Sequence, residues 1–364
     1  MPDSRPKPGS TRGARLYLNP LALTRGHAPG PSLPLAGGPL RFVALEAILA
    51  AGGRRIYDAA FPVSALAKLR AALPSALHGR CDVLLANLTA KRKPFEKLSF
   101  GKPLVMGILN ATPDSFSDGG DFFKAGDPVF RARRLVAEGA DLLDVGAEST
   151  RPGSKPVSAA EELKRLASVL ADIRKLKIPV SVDTRKSAVM KRALSAGAAI
   201  VNDVSALRYD DKSLAVIKNS GAGIVLLHAQ GSPATMQKNP RYQDVVLEVF
   251  DFLEARIQHC VRAGIAKSRI FADPGFGFGK TTAHNLALLN ALALFQGLGV
   301  PLVVGLSRKR FLGELTGEKD PRKRLGSSLA EAVLAASQGV QVIRCHDVAE
   351  TRRALQIAAA GANC

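Results

Sequence analysis

Polar residues end a series of short apolar runs in this chain, and their side chains are the ones that could do chemistry. Eight runs end in this way, at Asn110, Glu148, Asp183, Asn202, His228, Asp273, Lys309 and His346. An ordinary core strand needs no polar residue at a fixed end. Amides, carboxylates and cations brought to one place can bind a polar ring, a metal ion or phosphate oxygens.

A carboxylate, an amide and a second carboxylate stand at three of these ends, as Asp183, Asn202 and Asp273. Together they would offer fixed donors and acceptors to a heterocycle that carries several N–H and C=O groups. Each residue alone could equally be a turn residue after a strand. The presence of all three at strand ends favours a binding pocket.

Cationic and hydroxyl side chains accompany the last two runs. Ser307, Arg308 and Lys309 stand together at the end of one run, and Arg344 and His346 at the end of the other. Arginine can hold phosphate oxygens in bidentate fashion, and lysine and histidine can add positive charge. A solvated basic rim is the alternative. The position of these residues directly at the ends of predicted buried strands favours an anion clamp.

Asn110 lies in the segment MGILNATPDSFSDGG, where an apolar strand leads into a polar loop that ends in glycine. Its neutral side-chain oxygen suits a hard cation such as Mg²⁺, which usually keeps several waters and is held partly by substrate phosphates. Taken alone, Asn110 is more simply interpreted as a cap on the turn after the strand.

A second loop segment, DVGAESTRPGS, carries a hydroxyl at Thr150 and a guanidinium at Arg151, followed by Pro152 and Gly153. The proline fixes the local backbone and the glycine permits a sharp turn. The segment therefore suits a mobile loop that binds an anion, and a plain solvated loop is the alternative.

The segment DPGFGFGK, residues 273–280, combines turn-forming glycines with two aromatic side chains, Phe276 and Phe278. Glycine permits close approach of a ligand, and the rings offer an apolar or stacking surface. The spacing does not fit a Walker P-loop. The sequence has no G-x-S-x-G motif of a serine hydrolase, and its histidines are too dispersed for a zinc enzyme. The whole set suits displacement of a phosphate or diphosphate leaving group beside a polar ring.

Helical patterns follow the apolar runs, and this alternation indicates a parallel sheet. Eight such units in the last three-quarters of the chain predict a (β/α)8 TIM barrel, in which the carboxyl ends of all strands open on the catalytic face. An open doubly wound sheet would need a G-x-G-x-x-G motif after its first strand, and none stands there. We expect long loops on the catalytic face at 111–127, 147–157, 229–243 and 310–324.

Composition divides the chain into three parts. Residues 1–38 are rich in Pro, Gly and Arg and are predicted to be a basic flexible tail. Residues 39–101 hold three apolar stretches, which predict a small N-terminal α/β appendage without a chemical motif. Residues 102–364 form the predicted barrel.

The net charge of +20 is concentrated at the N-terminus, since residues 1–102 hold 16 Lys and Arg against 5 Asp and Glu. Nucleic-acid binding is disfavoured, because the basic residues are not interleaved with aromatics and no nucleic-acid motif occurs. No apolar run reaches the ~18 residues of a membrane span. The Arg-rich start is interpreted as a basic tail in preference to a transit peptide.

The four cysteines lie far apart, at Cys81, Cys260, Cys345 and Cys364. No C-x-x-C pair occurs, which argues against a zinc site or a disulfide framework. We therefore expect free thiols in a reducing cytoplasm.

From about residue 102 the chain resembles the dihydropteroate synthase family. The segments that carry the resemblance are MGILNATPDSFSDGG, GADLLDVGAESTRPGS, SVDTRK, IVNDVSA, DPGFGFGKT, GLSRKRFLG and VIRCHDV, in the order of the family. The resemblance implies condensation of 6-hydroxymethyl-7,8-dihydropterin diphosphate with p-aminobenzoate, which gives 7,8-dihydropteroate and diphosphate in folate biosynthesis. It further implies an SN1-like mechanism, Mg²⁺ as cofactor, a homodimer and inhibition by sulfonamides.

The resemblance also implies a role for each matching residue. The pterin would be held by Asp183, Asn202, Asp273, Lys309 and Arg344, of which Asp183, Lys309 and Arg344 would be catalytic. Thr150, Arg151, Pro152, Phe278 and Ser307 would surround p-aminobenzoate. Asn110, Arg344 and His346 would hold diphosphate, with Asn110 as the metal ligand.

Two other functions stay open. A pterin-binding methyltransferase of the folate- or corrinoid-dependent kind would share contacts such as Asp183 and Asn202, but it would have less reason to keep the STRPG and SRK segments together. An inactive paralogue that binds a partner through its basic N-terminus is the second. We also expect residues 39–100 to extend a dimer interface, on the basis of their apolar stretches alone, and His228 to support the pocket indirectly.

Overall fold

The structure, a computed structural model, describes residues 13–26, 28, 30–111, 128–148, 157–231 and 235–360. The N-terminal part forms an antiparallel sheet of strands β1 (Arg15–Arg25), β2 (Leu33–Pro34), β3 (Leu40–Ala51) and β4 (Arg54–Pro62). Strand β3 pairs with all three others. Helices α1 (Leu66–Ala72) and α2 (His78–Thr89) follow. A 3₁₀ turn at Val63–Ala65 leads into α1, and Leu73 follows this helix in an extended conformation.

The prediction of a flexible tail over residues 1–38 is wrong for Arg15–Arg25, which is strand β1. This strand pairs with β3 from Arg15 opposite Ala50 to Arg25 opposite Leu40. Leu16 and Leu18 are buried on one face of the strand. The Pro- and Gly-rich composition of the region hid this short alternating pattern, which is the pattern of a half-buried strand. Residues 1–12 lie outside the described residues.

The rest of the chain forms a parallel sheet with helices between its strands, and the predicted TIM barrel is confirmed. Its strands are β5 (Leu104–Asn110), β6 (Leu142–Gly146), β7 (Val180–Asp183), β8 (Ile200–Asp203), β9 (Gly223–Leu227), β10 (Ile270–Asp273), β11 (Val303–Gly305) and β12 (Val342–Cys345). The order around the sheet is β10-β9-β8-β7-β6-β5-β12-β11. One parallel bridge, between Ala272 and Leu302, joins the two end strands and closes the barrel.

Amphipathic helices surround the strands. They are α3 (Pro128–Ala137), α4 (Ala159–Asp172), α5 (Ser187–Ala196), α6 (Ser213–Ser220), α7 (Val245–Arg262), α8 (Thr282–Asn290), α9 (Arg310–Thr316), α10 (Leu325–Ser337) and α11 (Val348–Ala360). Just before α4, the Ser158 hydroxyl accepts from the Glu161 amide at 3.2 Å, as an N-cap does. Gly197 ends α5 at a φ of 117° in the left-handed region, which is common at the end of a helix.

The expected long loop at 310–324 is wrong, because α9 occupies its first half. Phe311 and Leu312 are buried and give this short helix an apolar face. Residues 229–231 and 235–243 do form a connection without helix or strand, as predicted. Most of 111–127 and 147–157 lies outside the described residues.

Aromatic and aliphatic side chains close the end of the barrel opposite the strand carboxyl ends. Met106, Leu142 and Phe271 fill the barrel interior near that end. The linker between the appendage and the barrel adds Phe95 and Phe100, whose rings meet Phe271 edge to face, each at 5.9 Å. This end is therefore apolar and filled, and polar chemistry is confined to the opposite face.

The appendage packs on the barrel through buried polar contacts around α7. The Tyr17 hydroxyl donates to the carboxylate of Asp251 at 2.8 Å, and Arg80 pairs with Glu254 at 3.2 Å. The apolar residues of β3 and α2 belong to the same continuous core as the barrel helices. Because the chain itself buries these stretches, they no longer support the expectation that residues 39–100 extend a dimer interface.

No helix in the described part of the chain is long and apolar enough to cross a membrane.

Arg92 joins the appendage to the barrel. It is only 4% exposed, and its guanidinium donates to the backbone oxygen of Gln296 at 2.8 Å, to the Gln296 side-chain oxygen at 3.0 Å and to the backbone oxygen of Asn87 at 2.8 Å. Burial lowers the pKa of Arg92 to about 10, so the group stays charged at neutral pH. The contact thus places a cation between the two parts.

We expect Arg92→Met to lower the free energy of unfolding by about 2–4 kcal/mol, because it leaves several buried carbonyl groups without a donor. Urea unfolding followed by circular dichroism measures the change. Lys93 is the exposed neighbouring position. The matched control Lys93→Met should stay within about 0.5 kcal/mol of the parent, as most surface substitutions do. Equal effects of the two substitutions would contradict the assignment of Arg92 as a link between the parts.

Candidate active site

A cleft of about 370 Å³ opens at the carboxyl ends of the barrel strands. Its lining combines two carboxylates, an amide and two cations with apolar side chains: Asp183, Asn202, Val204, Leu227, Asp273, Phe276, Phe278, Gly305, Lys309 and Arg344. The structure therefore brings together all five predicted pterin residues, and Phe278 with them. Polar groups that converge in a partly apolar cleft are the usual form of a small-molecule site.

A buried carboxylate organises the wall of this cleft. Asp144 lies inside strand β6 and is 0% exposed. One of its oxygens accepts from the Asn202 amide at 3.0 Å and from Nε of Arg344 at 2.6 Å. The guanidinium of Arg344 also donates to Asp183 at 3.3 Å. Asp144 thus fixes the amide and the guanidinium that face the ligand space.

Asp144 and Arg344 act on the protonation of Asp183 in opposite directions. Burial raises the pKa of Asp183 to about 8, and the neighbouring charge of Asp144 adds to the shift while Arg344 opposes it. Burial alone would lower the pKa of Arg344, but Asp144 and Asp183 outweigh it and hold this pKa above its usual value. Arg344 therefore stays charged, and Asp183 can change its protonation state near neutral pH.

Asp273 lies on the opposite side of the cleft, at the end of β10. One of its oxygens accepts from the Gly275 amide at 2.7 Å. Burial raises the pKa of Asp273 to about 6, although this hydrogen bond and the charge of Lys309 oppose the shift. Asn202 supplies an acceptor, since its side-chain oxygen is buried and bonds to none of the described residues. A ligand with N–H groups would satisfy such an oxygen.

Arg308 has a strained backbone, and the residues on either side of it have different partners: Ser307 contacts His346 and Lys309 contacts Phe278. Its φ is 61°, in the left-handed region that a non-glycine residue adopts only when its surroundings hold it there. Nε of Arg308 donates to Asp347 at 3.2 Å, and its backbone amide donates to the Ser328 hydroxyl at 3.0 Å. The turn places Nζ of Lys309 over the Phe278 ring, 4.3 Å from its centroid.

Ser307 and His346 lie beside the cleft lining and contact each other. The Ser307 hydroxyl is 3.0 Å from Nδ1 of His346 and 3.3 Å from its backbone amide. Asn110 ends strand β5, and in register it stands opposite Gly146, which in turn stands opposite Asp183. These three predicted residues therefore share the rim with the cleft without lining it.

Thr150, Arg151 and Pro152 lie outside the described residues, but the residues on either side of their segment are described. Glu148 accepts from the Val157 amide at 3.2 Å. The same carboxylate accepts from Nζ of Lys186 at 2.5 Å and from Arg185 at 3.1 Å. Burial favours a higher pKa for Glu148, but these donors outweigh it and lower the pKa. The charged carboxylate thus links Val157 to the residues after β7.

Sequence reasoning missed Asp144, Lys186 and Lys280 as parts of the site. Asp144 had a signal, since a carboxylate inside the apolar run LLDVG has no place in an ordinary core strand. Lys186 stands at the end of SVDTRK and could have been matched with an acidic partner. Lys280 ends the segment DPGFGFGK, whose spacing does not fit a Walker P-loop. His228, which we expected to support the pocket indirectly, lies with Nδ1 at 2.9 Å from Nζ of Lys280.

The chemistry of the residues limits how a metal ion could bind. The parts of the chain that are described contain no group of three His, Cys, Asp or Glu side chains able to hold one. The side-chain oxygen of Asn110 fits as a single ligand of Mg²⁺, because this ion commonly keeps waters and is shared with substrate phosphates. The donor set thus fits a metal that arrives with an anionic substrate.

The raised pKa of Asp183 predicts a pH-dependent effect on stability. A carboxyl group whose folded pKa is raised stabilises the fold at low pH and loses that contribution as pH rises from about 4 to the folded pKa of about 8. Asp183→Asn stays neutral, so its stability relative to the parent should rise by at least ~1 kcal/mol across this window. Urea unfolding at pH 5 and pH 8 measures it. The exposed Asp211→Asn is the control, and a difference that stays flat with pH would refute the shift.

Comparisons with known proteins show the family of this chain. The family described as pterin binding enzyme matches residues 106–346. A dihydropteroate synthase of Neisseria meningitidis serogroup B is 46% identical over 266 residues, which cover 72% of this chain and 93% of the relative.

Solved structures give the same result. The Yersinia pestis dihydropteroate synthase with a sulfonamide drug complex has a TM-score of 0.69 and 43% identity, and the match covers 73% of this chain and 97% of that one. The Xanthomonas albilineans enzyme with 4-aminobenzoic acid has a TM-score of 0.67 and 46% identity, and covers 72% and 95%. The resemblance seen in the motifs is confirmed, and the chain belongs to the dihydropteroate synthases, pterin-binding transferases of folate synthesis.

Proposed function

We propose that this chain condenses 6-hydroxymethyl-7,8-dihydropterin diphosphate with p-aminobenzoate through the residues of the described cleft. The observation that carries the proposal is the arrangement around Asp144, which orients an amide, a guanidinium and a second carboxylate toward one space. A pterin offers N–H and C=O groups on one edge and a flat face, and this arrangement matches both.

The pterin is assigned to Asp183, Asn202, Asp273, Lys309 and Arg344. The free oxygen of Asn202 and the carboxylates accept from ring N–H groups, and Lys309 donates to a ring acceptor. The guanidinium of Arg344 covers the ring face, since its plane is fixed by two carboxylates. Buried, oriented polar groups give specificity, because a ligand without matching groups would leave them unpaired.

p-Aminobenzoate is assigned to the region between Phe278 and Ser307, and Thr150, Arg151 and Pro152 are proposed to contact it as well. Phe278 supplies an aromatic surface whose face already attracts the Lys309 ammonium. The solved relative from Xanthomonas albilineans contains 4-aminobenzoic acid, which supports an arylamine in this chain as well. Sulfonamides are expected to compete for the same region, as the drug complex of the Yersinia pestis relative suggests.

The diphosphate is assigned to Asn110, Arg344 and His346, with Mg²⁺ as cofactor. Asn110 would be the protein ligand of the ion, and bound Mg²⁺ would offset negative charge on the leaving diphosphate. His346 is oriented by its contact with Ser307, and the guanidinium of Arg344 adds a permanent positive charge. The rim therefore favours departure of an anion.

The order of bond changes follows from these charges. The bond between the pterin methylene carbon and oxygen breaks first, and diphosphate leaves with the electron pair. The cation left on the pterin is spread over its ring and is stabilised by the Asp183 carboxylate. The amine nitrogen of p-aminobenzoate then bonds to the methylene carbon and loses a proton to solvent. Asp183, Lys309 and Arg344 are thus the proposed catalytic residues.

Assembly and location also remain predictions. Leu334 on α10 and Ile357 on α11 are 49% and 75% exposed. Exposed apolar side chains on these two neighbouring helices favour a homodimer. Cys81, Cys260 and Cys345 are buried free thiols, which favours the reducing cytoplasm. The mass in solution, measured by light scattering, tests the homodimer.

A turnover assay tests the proposed function. The purified chain is incubated with the pterin diphosphate, p-aminobenzoate and Mg²⁺, and we expect equal amounts of 7,8-dihydropteroate and diphosphate. Folded protein that releases no diphosphate would refute the proposal. Methyl transfer to cobalamin without diphosphate would support the methyltransferase alternative, and salt-dependent nucleic-acid binding without turnover would support the inactive paralogue.

Removal of the proposed metal ligand should change the requirement for magnesium. We expect Asn110→Ala to raise the Mg²⁺ concentration for half-maximal rate by about tenfold, because one ligand oxygen is lost. Asn110→Asp, which keeps an oxygen at that position, should restore most of the affinity. Asn219→Ala, on the exposed face of α6, is the control. An unchanged magnesium dependence in Asn110→Ala would remove this residue from the metal site.

A further inference from the structure

Lys280 is a fully enclosed amine that the proposed reaction does not use, and burial lowers the pKa of this group to about 7. The side chain is 2% exposed and follows the glycine-rich segment after β10. A lysine is rarely buried to this extent unless specific acceptors surround its ammonium group. We therefore examine which acceptors surround Lys280 and what these contacts do.

Four acceptors surround Nζ of Lys280. They are Nδ1 of His228 at 2.9 Å, the backbone oxygen of His228 at 3.3 Å, and the backbone oxygens of Gly275 at 2.9 Å and Phe278 at 3.2 Å. Two of these oxygens belong to the loop that carries the aromatic wall of the cleft, and the other two acceptors belong to the end of β9. The ammonium thus joins the loop to the neighbouring strand.

His228 is suited to accept from a cation. Burial lowers the pKa of His228 to about 2, and the charge of Lys280 acts in the same direction, so the ring is neutral. The ring of Phe252 meets it edge to face at 4.8 Å and holds its orientation. A neutral, oriented imidazole can present an unprotonated Nδ1 to the ammonium.

The backbone of the loop that binds Lys280 is packed so closely against its neighbours that two of its positions have no space for a side chain. Gly275 has a φ of 71°, and a Cβ at this position would lie 1.9 Å from the His228 oxygen. Gly279 has a φ of 66°, and its Cβ would lie 2.4 Å from the Gln230 oxygen. Outside the loop, Nε2 of Gln237 donates to the Gly277 oxygen at 2.6 Å. Tyr242 donates to the Gly279 oxygen and Asn285 accepts from the Gly277 amide, each at 2.8 Å. The segment 275–279 is therefore held from within by Lys280 and from outside by Gln237, Tyr242 and Asn285.

We propose that Lys280 is a positioning residue, which holds Phe278 and, through its ring, Lys309 in place by binding the backbone oxygens of Gly275, Phe278 and His228. Phe278 carries the Lys309 ammonium 4.3 Å from its ring centroid, so a shift of the loop would move an arylamine contact and a pterin contact together. The kinetic part of this inference rests on the proposed function. The geometric part does not.

The chain contains no tryptophan, which allows a direct optical test of the geometry. Phe278→Trp places a single reporter in the cleft wall, and acrylamide quenching then measures how freely its ring is exposed. In this background we expect Lys280→Met to raise the quenching constant roughly twofold, because the loop loses its internal brace. Lys191→Met, on the exposed surface of α5, is the matched control and should leave it unchanged.

The kinetic readout separates positioning from a loss of folding. Without the tryptophan, Lys280→Met should raise the KM for p-aminobenzoate by about tenfold and change the KM for the pterin diphosphate less, because the loop carries the arylamine surface. Uniform loss of active protein would lower kcat alone. Folded Lys280→Met protein with unchanged quenching and unchanged KM values would overturn the proposal.

Two further outcomes are distinct. In the first outcome, the parent shows no turnover while quenching still rises in Lys280→Met. In that case the proposed function is refuted, and the positioning of Phe278 by Lys280 is supported. If Lys280→Met does not fold, Lys280→Gln replaces it, since the shorter amide side chain stays polar but loses the contacts of Nζ with the Gly275 and Phe278 oxygens. Quenching should then rise in the same direction, and its absence would overturn the proposal.

Discussion

The carboxylate of Asp144 is the interaction on which the active site depends. A charge inside a barrel strand is costly, and it is tolerated here because the Asn202 amide and the Arg344 guanidinium both donate to it. Removal of any one of the three would leave a buried polar group unpaired. The same contacts orient the groups that face the ligand, so stability and ligand recognition are linked in a single network.

Two buried lysines, Lys186 and Lys280, lie near this network and bind residues that follow the barrel strands. Lys186 forms hydrogen bonds with Glu148 and Glu162, and Lys280 with backbone oxygens that include the one of Gly275. Most polar groups of the cleft lie on strands, at Asp183, Asn202, Asp273 and Arg344. The buried lysines join residues that lie beyond the strand ends.

The sequence predicted the barrel and the cleft well, because both follow from periodicity and from polar residues at strand ends. Asp183, Asn202, Asp273, Lys309 and Arg344 do meet in one cleft. Prediction from the sequence was wrong where the local composition favours a loop or tail but tertiary contacts stabilise a strand or a helix. Strand β1 was hidden by surrounding Pro and Gly, and α9 was taken for a loop although Phe311 is buried. Asp144 and Lys280 depend on partners distant in sequence, as the contact of Lys280 with His228 illustrates, and no local pattern specifies such pairs.

The barrel strands are least paired between β10 and β11, and the appendage binds the chain that connects these two strands. Neighbouring strands elsewhere in the barrel share three to five register pairs, whereas β10 and β11 share the single bridge of Ala272 with Leu302. The chain between these two strands contains the 3₁₀ helix Leu292–Leu298, and Asn87 and Arg92 bind it. The appendage, which precedes the barrel in the sequence, thus adds side-chain hydrogen bonds beside the place where the backbone supplies only one bridge.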